Sequence, residues 1–286
     1  MSAGAPGLER VRAAYLRACE LDVLVPKPGN VSVASSGHGM DAALFIKAAS
    51  ASVGPLLAPG ASVGDRVEDA VKAGHLATGC NTNLGIVLLC APIASALEEQ
   101  PAPRSRAALR AAVARVIAGT DIDDARAVFR AIVAANPGGL GEAAEQDVRN
   151  VPTVDLRSAM GIAAGRDSIA RQYANGFADI FDFGIPRFER AARISPEHAV
   201  LETYLAYLAT WPDSHVARKH GESIAVGVSR VAARFHHEAP AVGPGFDAEK
   251  LLAWDVELKS SGINPGTTAD LVVATTFVIE ALQPDR

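Results

Sequence analysis

The chain has 286 residues, of which 49% are apolar but only 5% aromatic, and it carries a formal net charge of −5. That length suits one large domain or two small ones, and an alanine-rich apolar set without alternating Val/Ile/Tyr/Thr runs favours helices packed on helices. The absence of a basic tract argues against a general nucleic-acid binder, which needs clustered Lys and Arg, although a nucleotide substrate needs only a local pocket.

Leu8 to Val25 reads as the first helix, because Val11, Ala14, Tyr15, Ala18 and Leu21 fall at three- and four-residue spacing. Pro26 and Pro28 end it, and Pro26 to Ser32 is a rigid loop holding Lys27, Asn30 and Ser32. The loop runs on to Asp41. Asp41 caps a helix over 42–57, or else it and His38 face a common pocket. Ser62 with Asp65 resembles a capping box and starts a helix running to about His75. Thr78 to Leu89 then puts a knot of small polar groups, Asn81, Thr82 and Asn83, directly before an unbroken apolar run. A cap needs only one of them, so the stretch is either an over-supplied helix start or the lining of a site.

Helices are expected over 84–99, 104–118 and 122–134. Asp121, Asp123 and Asp124 sit where carboxylates oppose the positive end of a helix dipole. Asn136 to Gly141 breaks the chain, 151–155 looks extended, and 161–181 reads as one helix with polar interruptions. Further helices cover 195–209, a restart capped by Asp213, 222–237 with His236 and His237 at its surface end, and 247–260. Gly262 to Asp270 reads as a tight polar turn opening a last helix, 271–282. Cys19, Cys80 and Cys90 lack CxxC spacing and read as reduced thiols. Met1 to Gly7 has no signal-peptide profile, and no apolar run approaches the roughly 18 residues of a membrane span. The expectation is a soluble, cytoplasmic, all-α single domain, 1–286, of roughly a dozen helices, with no membrane or nucleic-acid partner.

Five glycine- or proline-marked polar loops stand at helix starts: 27–41, 78–85, 138–147, 213–221 and 262–270. Helix N-termini suit phosphates. Four of the loops also carry a carboxylate, Asp41, Glu142, Asp213 or Asp270, and Mg²⁺ is the ion that reconciles carboxylates with phosphate oxygens. No Walker loop, GxGxxG or kinase signature is present.

These blocks resemble the triphosphoribosyl-dephospho-CoA synthase family. The matching residues, in order, are Lys27-Pro28-Gly29, His38 to Asp41, Gly79 to Gly85, Gly138 to Glu142, Asp213-Ser214-His215 with Arg218 and Gly221, and Asn264 to Leu271. Asn30-Val31-Ser32 replaces the family's Leu-Val-Asp, Gly39 an aspartate, Asn83-Leu84 its His-Lys, and Asp213-Ser214-His215 its Asp-Thr-Asn. The resemblance implies a helical transferase that moves the 5-triphosphoribosyl group of ATP onto a hydroxyl of dephospho-CoA and releases adenine, for prosthetic-group biosynthesis. By position it implies Lys27 and Arg218 on phosphates, with Asn30, Asn81, Thr82, Asn83, Asn264, Gly266 and Thr267 lining the nucleotide site. Asp41, Asp213 and Asp270 become Mg²⁺ ligands or general bases, with Glu142 as a further ligand and His38 as a base or purine contact. The departures leave three alternatives open: a divergent branch acting on another acceptor, such as one in methanopterin-type cofactor biosynthesis; a hydrolase of the N-glycosidic bond; and a non-catalytic nucleotide-binding protein. A homodimer is a further expectation.

Overall fold

Apolar residues at helical spacing, punctuated by capping and breaking residues, give fourteen α-helices among the described residues. They are α1 (Ala5–Leu24), α2 (Ala42–Leu56), α3 (Val63–Thr78), α4 (Leu84–Leu97), α5 (Arg106–Ala118), α6 (Ile122–Ala135) and α7 (Leu156–Ala163), followed by α8 (Ser168–Asn175), α9 (Ile185–Ala191), α10 (Pro196–Thr210), α11 (Ser214–His220), α12 (Glu222–Glu238), α13 (Ala248–Ser260) and α14 (Gly266–Leu282). This is a computed structural model describing residues 5–238 and 247–283, with backbone alone at 5, 6, 237 and 238. The expectations for residues 1–4 and for the His237 side chain lie outside the described residues. Among those residues there is no strand, only isolated bridges of Ser32 with Ser35 and Gly37 with Met40. No described helix is long and apolar enough to cross a membrane.

The helix starts follow capping chemistry. Ser62, Ser105, Asp155, Asp167, Ser195, Asp213 and Asp247 each accept a backbone N–H of the first turn, a contribution of about 1 kcal/mol apiece. Asp121 and Asp124 form a full capping box at α6, and Asp124 Oδ1 also takes the Gly64 N–H at 2.7 Å, tying α6 to α3.

Three segments differ from the sequence reading. The helix expected over 161–181 is α7, a break at 164–167, α8, and a π-helical segment Asp179–Gly184 leading into α9. Asp167 caps α8, and Gly176 closes it in a left-handed conformation. The last helix starts at Gly266 instead of Leu271, which places Asp270 inside the helix. His236 is partly buried, 3.8 Å from Glu202.

The core sits between α4 and α14, which are apolar on nearly every face and therefore must be enclosed. α1 packs on α14, with the rings of Tyr15 and Phe277 edge to face at 5.8 Å. The Thr275 and Thr276 hydroxyls return to carbonyls one turn back, at 2.8 and 2.9 Å, so α14 carries them into the core satisfied.

The loop after α1 is clasped to α13. Asp255 accepts the Gly29 N–H and the Ser35 hydroxyl, both at 2.8 Å, and the Lys259 ammonium at 2.9 Å. Tyr204 donates to Pro28 O at 2.7 Å. Gly29 has φ +80°, and a Cβ there would stand 2.8 Å from Pro265 Cδ, so only glycine fits. Asp255→Ala would strand the buried Gly29 N–H and leave the Lys259 ammonium without its counter-ion, and denaturant unfolding should show a loss of about 3 kcal/mol, with the 27–40 loop becoming the first site of proteolysis.

Candidate active site

All five polar loops reach one cavity of about 990 Å³. Asn30 and Met40 come from the first, Cys80 to Thr82 with Leu84 and Gly85 from the second, Gly138, Leu140 to Ala143 and Glu145 to Asp147 from the third, His215 and Arg218 from the fourth, and Asn264, Gly266, Thr267 and Asp270 from the fifth. Apolar side chains of α4, α6, α7 and α8, among them Leu88, Phe129, Met160 and Ile169, form the opposite wall. The size stands at the top of the usual small-molecule range, roughly 300–1,000 Å³.

The start of α4 shows how the polar knot is used. Asn81 Oδ1 accepts the Leu84 N–H at 3.3 Å and is the cap. Thr82 lines the cavity at 9% exposure, and its hydroxyl has no hydrogen-bond partner among the described residues. Asn83 turns the other way: its amide donates to Ser52 at 3.1 Å inside the core, so it does not line the cavity as expected. Gly85 faces Asp270 so closely that a Cβ would stand 2.0 Å from Asp270 Oδ2.

Asp270 is half-buried in the cavity wall and has no hydrogen bond or ion pair among the described residues. Burial pushes its carboxyl well up, the negative charges of Asp22, Asp213 and Asp167 push it further, and Arg218 opposes them.

On α11, Asp213 is spent on structure. It is 2% exposed and accepts from Val216 N at 3.0 Å, Thr268 N at 2.7 Å and Thr268 Oγ1 at 2.8 Å. It joins α11 to the first turn of α14 and does not line the cavity, which removes it as a direct metal ligand or base. Arg218 does line it, steadied by Gly138 O at 3.2 Å and Asp167 Oδ2 at 3.3 Å. His215 lines it too, against Gly266, and burial followed by the Arg218 and Lys219 charges brings its imidazole down to about 4. It is neutral at pH 7. Gly139, at φ +72°, lets the third loop lie on α11, since a Cβ there would meet Arg218 O at 2.8 Å.

Three further sequence candidates are placed elsewhere. Lys27 is 1% exposed, with Nζ 3.1 Å from Asp22 Oδ1, also donating to Asp22 O and to Val25 O at 3.4 Å. The ammonium is enclosed by these oxygens and does not line the cavity. Burial lowers the Lys27 amine and raises the Asp22 carboxyl, each opposed by its partner. His38 bonds Gly29 O at 2.9 Å and braces the loop. Asp41 is exposed and caps α2 through the Leu44 N–H at 3.0 Å. Asn30 and Asn264 do meet in the cavity wall, at 3.0 Å. Glu142 lines the cavity on an exposed loop, 3.8 Å from Arg149. Among the described residues no three His, Cys, Asp or Glu side chains gather as a metal cage.

Asp22, Asp167, Arg166 and His215 line the cavity although sequence reasoning did not select them. Asp22 looks like an outward polar residue of an amphipathic helix. His215 stood in plain view beside Asp213, and only its burial identifies it. The lining holds buried or half-buried Asp22, Asp147, Asp167 and Asp270 and exposed Glu142, Glu145 and Glu222, against two arginines, Arg166 and Arg218.

Fold and cavity together define an all-α small-molecule protein, with helix N-termini and carboxylates turned onto one chamber. The chain belongs to the ATP:dephospho-CoA triphosphoribosyl transferase family, whose model matches residues 8–286. The family is one of transferases. The fold is similar to the crystal structure of a candidate triphosphoribosyl-dephospho-CoA synthase from Archaeoglobus fulgidus, with TM-score 0.65 and 23% identity over 82% of this chain and 96% of that one. A comparison with curated proteins finds no match.

The partner-free carboxylate has a measurable consequence. A carboxyl raised in the folded state makes folding less favourable as pH climbs from the unfolded value, about 3.9, through the folded one. Asp270→Asn should therefore raise the melting temperature at pH 7, with the gain shrinking to nothing near pH 4 in a pH series of thermal melts.

Proposed function

We propose that the chain transfers the triphosphoribosyl group of ATP to an acceptor hydroxyl and releases adenine. The observation that carries the reading is Asp270, a carboxylate without a protein partner facing a chamber that also holds an unpartnered Thr82 hydroxyl and two arginines. A site built this way favours a ligand that brings its own positive charge, as a magnesium nucleotide does.

Asp270 and the Thr82 hydroxyl fit Mg²⁺, which takes one or two protein ligands and completes its shell with phosphate oxygens and water. Bound there, it would supply charge neutralisation of the triphosphate. Arg218, held by Asp167 and Gly138 O, presents its remaining donors to a phosphate, and exposed Arg166 lines the same cavity. In the first turn of α14 the Gly266 and Thr268 N–H groups are already held by Asn264 O and Asp213, so this helix end adds its dipole to the site and not those donors. Neutral His215 can hydrogen-bond the departing purine. The transition state at the ribose is oxocarbenium-like, and carboxylates in the wall stabilise it electrostatically.

Dephospho-CoA is the family's acceptor. The structure also favours a second acceptor class. Leu84 lines the cavity where the resemblance carries a lysine, and Asn83 is turned into the core, so neither position brings a cation to the cavity.

Incubated with ATP, Mg²⁺ and dephospho-CoA, the protein should release free adenine by chromatography. Arg218→Ala should weaken ATP binding by about 10- to 100-fold, the equivalent of one charged hydrogen bond. Adenine release in the absence of any acceptor would instead indicate hydrolysis.

A further inference from the structure

Asp22 was not selected from the sequence, and Lys27 cannot serve the role the resemblance gave it. The two residues answer each other. Asp22 stands near the end of α1, 4% exposed, and it lines the cavity. Its Oδ1 is 3.1 Å from Lys27 Nζ, and no hydrogen bond among the described residues reaches Oδ2. Lys27 itself has no face on the cavity. Its ammonium donates to two carbonyls of the 22–25 turn and stands 3.1 Å from Asp22 Oδ1.

A buried ion pair is a poor source of stability, since desolvation offsets most of the attraction, and apolar replacements often do as well. What the pair achieves is to set a counter-ion against the burial that raises the Asp22 carboxyl. Asp270 lacks such a counter-ion. The cavity thus holds two carboxylates in different settings, Asp22 with a lysine 3.1 Å away and Asp270 with no such partner among the described residues. The buried, unpartnered Thr82 hydroxyl in the same cavity independently marks the chamber as built around a ligand.

We propose that Asp22 is a catalytic carboxylate of the cavity and that Lys27 is its positioning residue. The assignment rests on the transferase reading above. In the step, the acceptor oxygen bonds to C1′ of the ribose and the C1′–N9 bond breaks. The hydroxyl proton passes to Asp22, the bond's electron pair leaves with adenine, and adenine takes up one proton, so Asp22 is reset by returning its own to solvent. Before proton transfer, the same anion stabilises the positive charge developing at C1′.

The test combines ATP affinity, measured by titration calorimetry, with turnover. Lys27→Met/Asp22→Asn removes both charges and leaves no buried ion unpaired. It should fold, judged by circular dichroism, and bind ATP within about twofold of wild type. Its kcat should fall by about 100-fold or more, the usual size of a general-base contribution. Should the double variant not fold, Asp22→Glu retains the ion pair but moves the carboxylate, and it should show the same split of lost kcat and unchanged ATP affinity. Full turnover in either variant overturns the assignment. So does Lys27→Met with ATP affinity weakened tenfold and kcat intact, because that is the behaviour of a phosphate ligand. A wild-type protein that binds ATP and releases no adenine with any acceptor overturns the transferase reading itself, and the catalytic role of Asp22 with it.

Discussion

The cavity depends on how closely α14 can lie against the first turn of α4. At Gly85 the missing side chain lets Asp270 of α14 stand where a Cβ would be. The polar turn of α14 and the polar knot before α4 then open into the same space. Any larger residue at 85 would push the carboxylate out or the helices apart. The remaining loops are arranged around this contact. Asp213 pins the start of α11 to Thr268 of α14, and Asp255 pins the 27–40 loop to α13, which runs directly into the Gly262–Pro265 turn.

The site is assembled from helix starts, and this arrangement settles which polar residues are structural and which face the chamber. A capping side chain spends its oxygens on backbone N–H groups. Asp41 and Asp213 are consumed that way. Asp167 spends one oxygen on α8 and the other on Arg218. Asp270, inside its helix instead of at the cap, has no such duty. Retaining a buried carboxylate without a partner costs stability, and such local conflicts in an otherwise consistent fold are where function is found.

The helices were largely legible in the sequence because their punctuation is local: Ser62, Asp121, Ser195 and Asp247 each cap within a few residues. The stretch 161–191 was not, since the break at 164–167 depends on Asp167 capping α8, and the π-helical turn depends on the close fit of Gly184 against Tyr207 and Thr275, distant in sequence. The five loops were legible as loops of one design, and all of them reach the cavity. The orientation of single side chains within them was not. Nothing local tells Asn83 to face Ser52 while Thr82 faces the chamber. Lys27 looks like a phosphate ligand until Asp22, five residues earlier in a helix, closes on it.

The central claim is that this carboxylate-rich chamber takes a nucleotide only together with its cation, and calorimetric titration of ATP with Mg²⁺ and then with EDTA tests it most directly. Binding that weakens at least tenfold when Mg²⁺ is removed, and is abolished in both conditions by Gly85→Val, is the predicted result. ATP affinity that is the same with and without Mg²⁺, or that survives a side chain at position 85, would contradict the account.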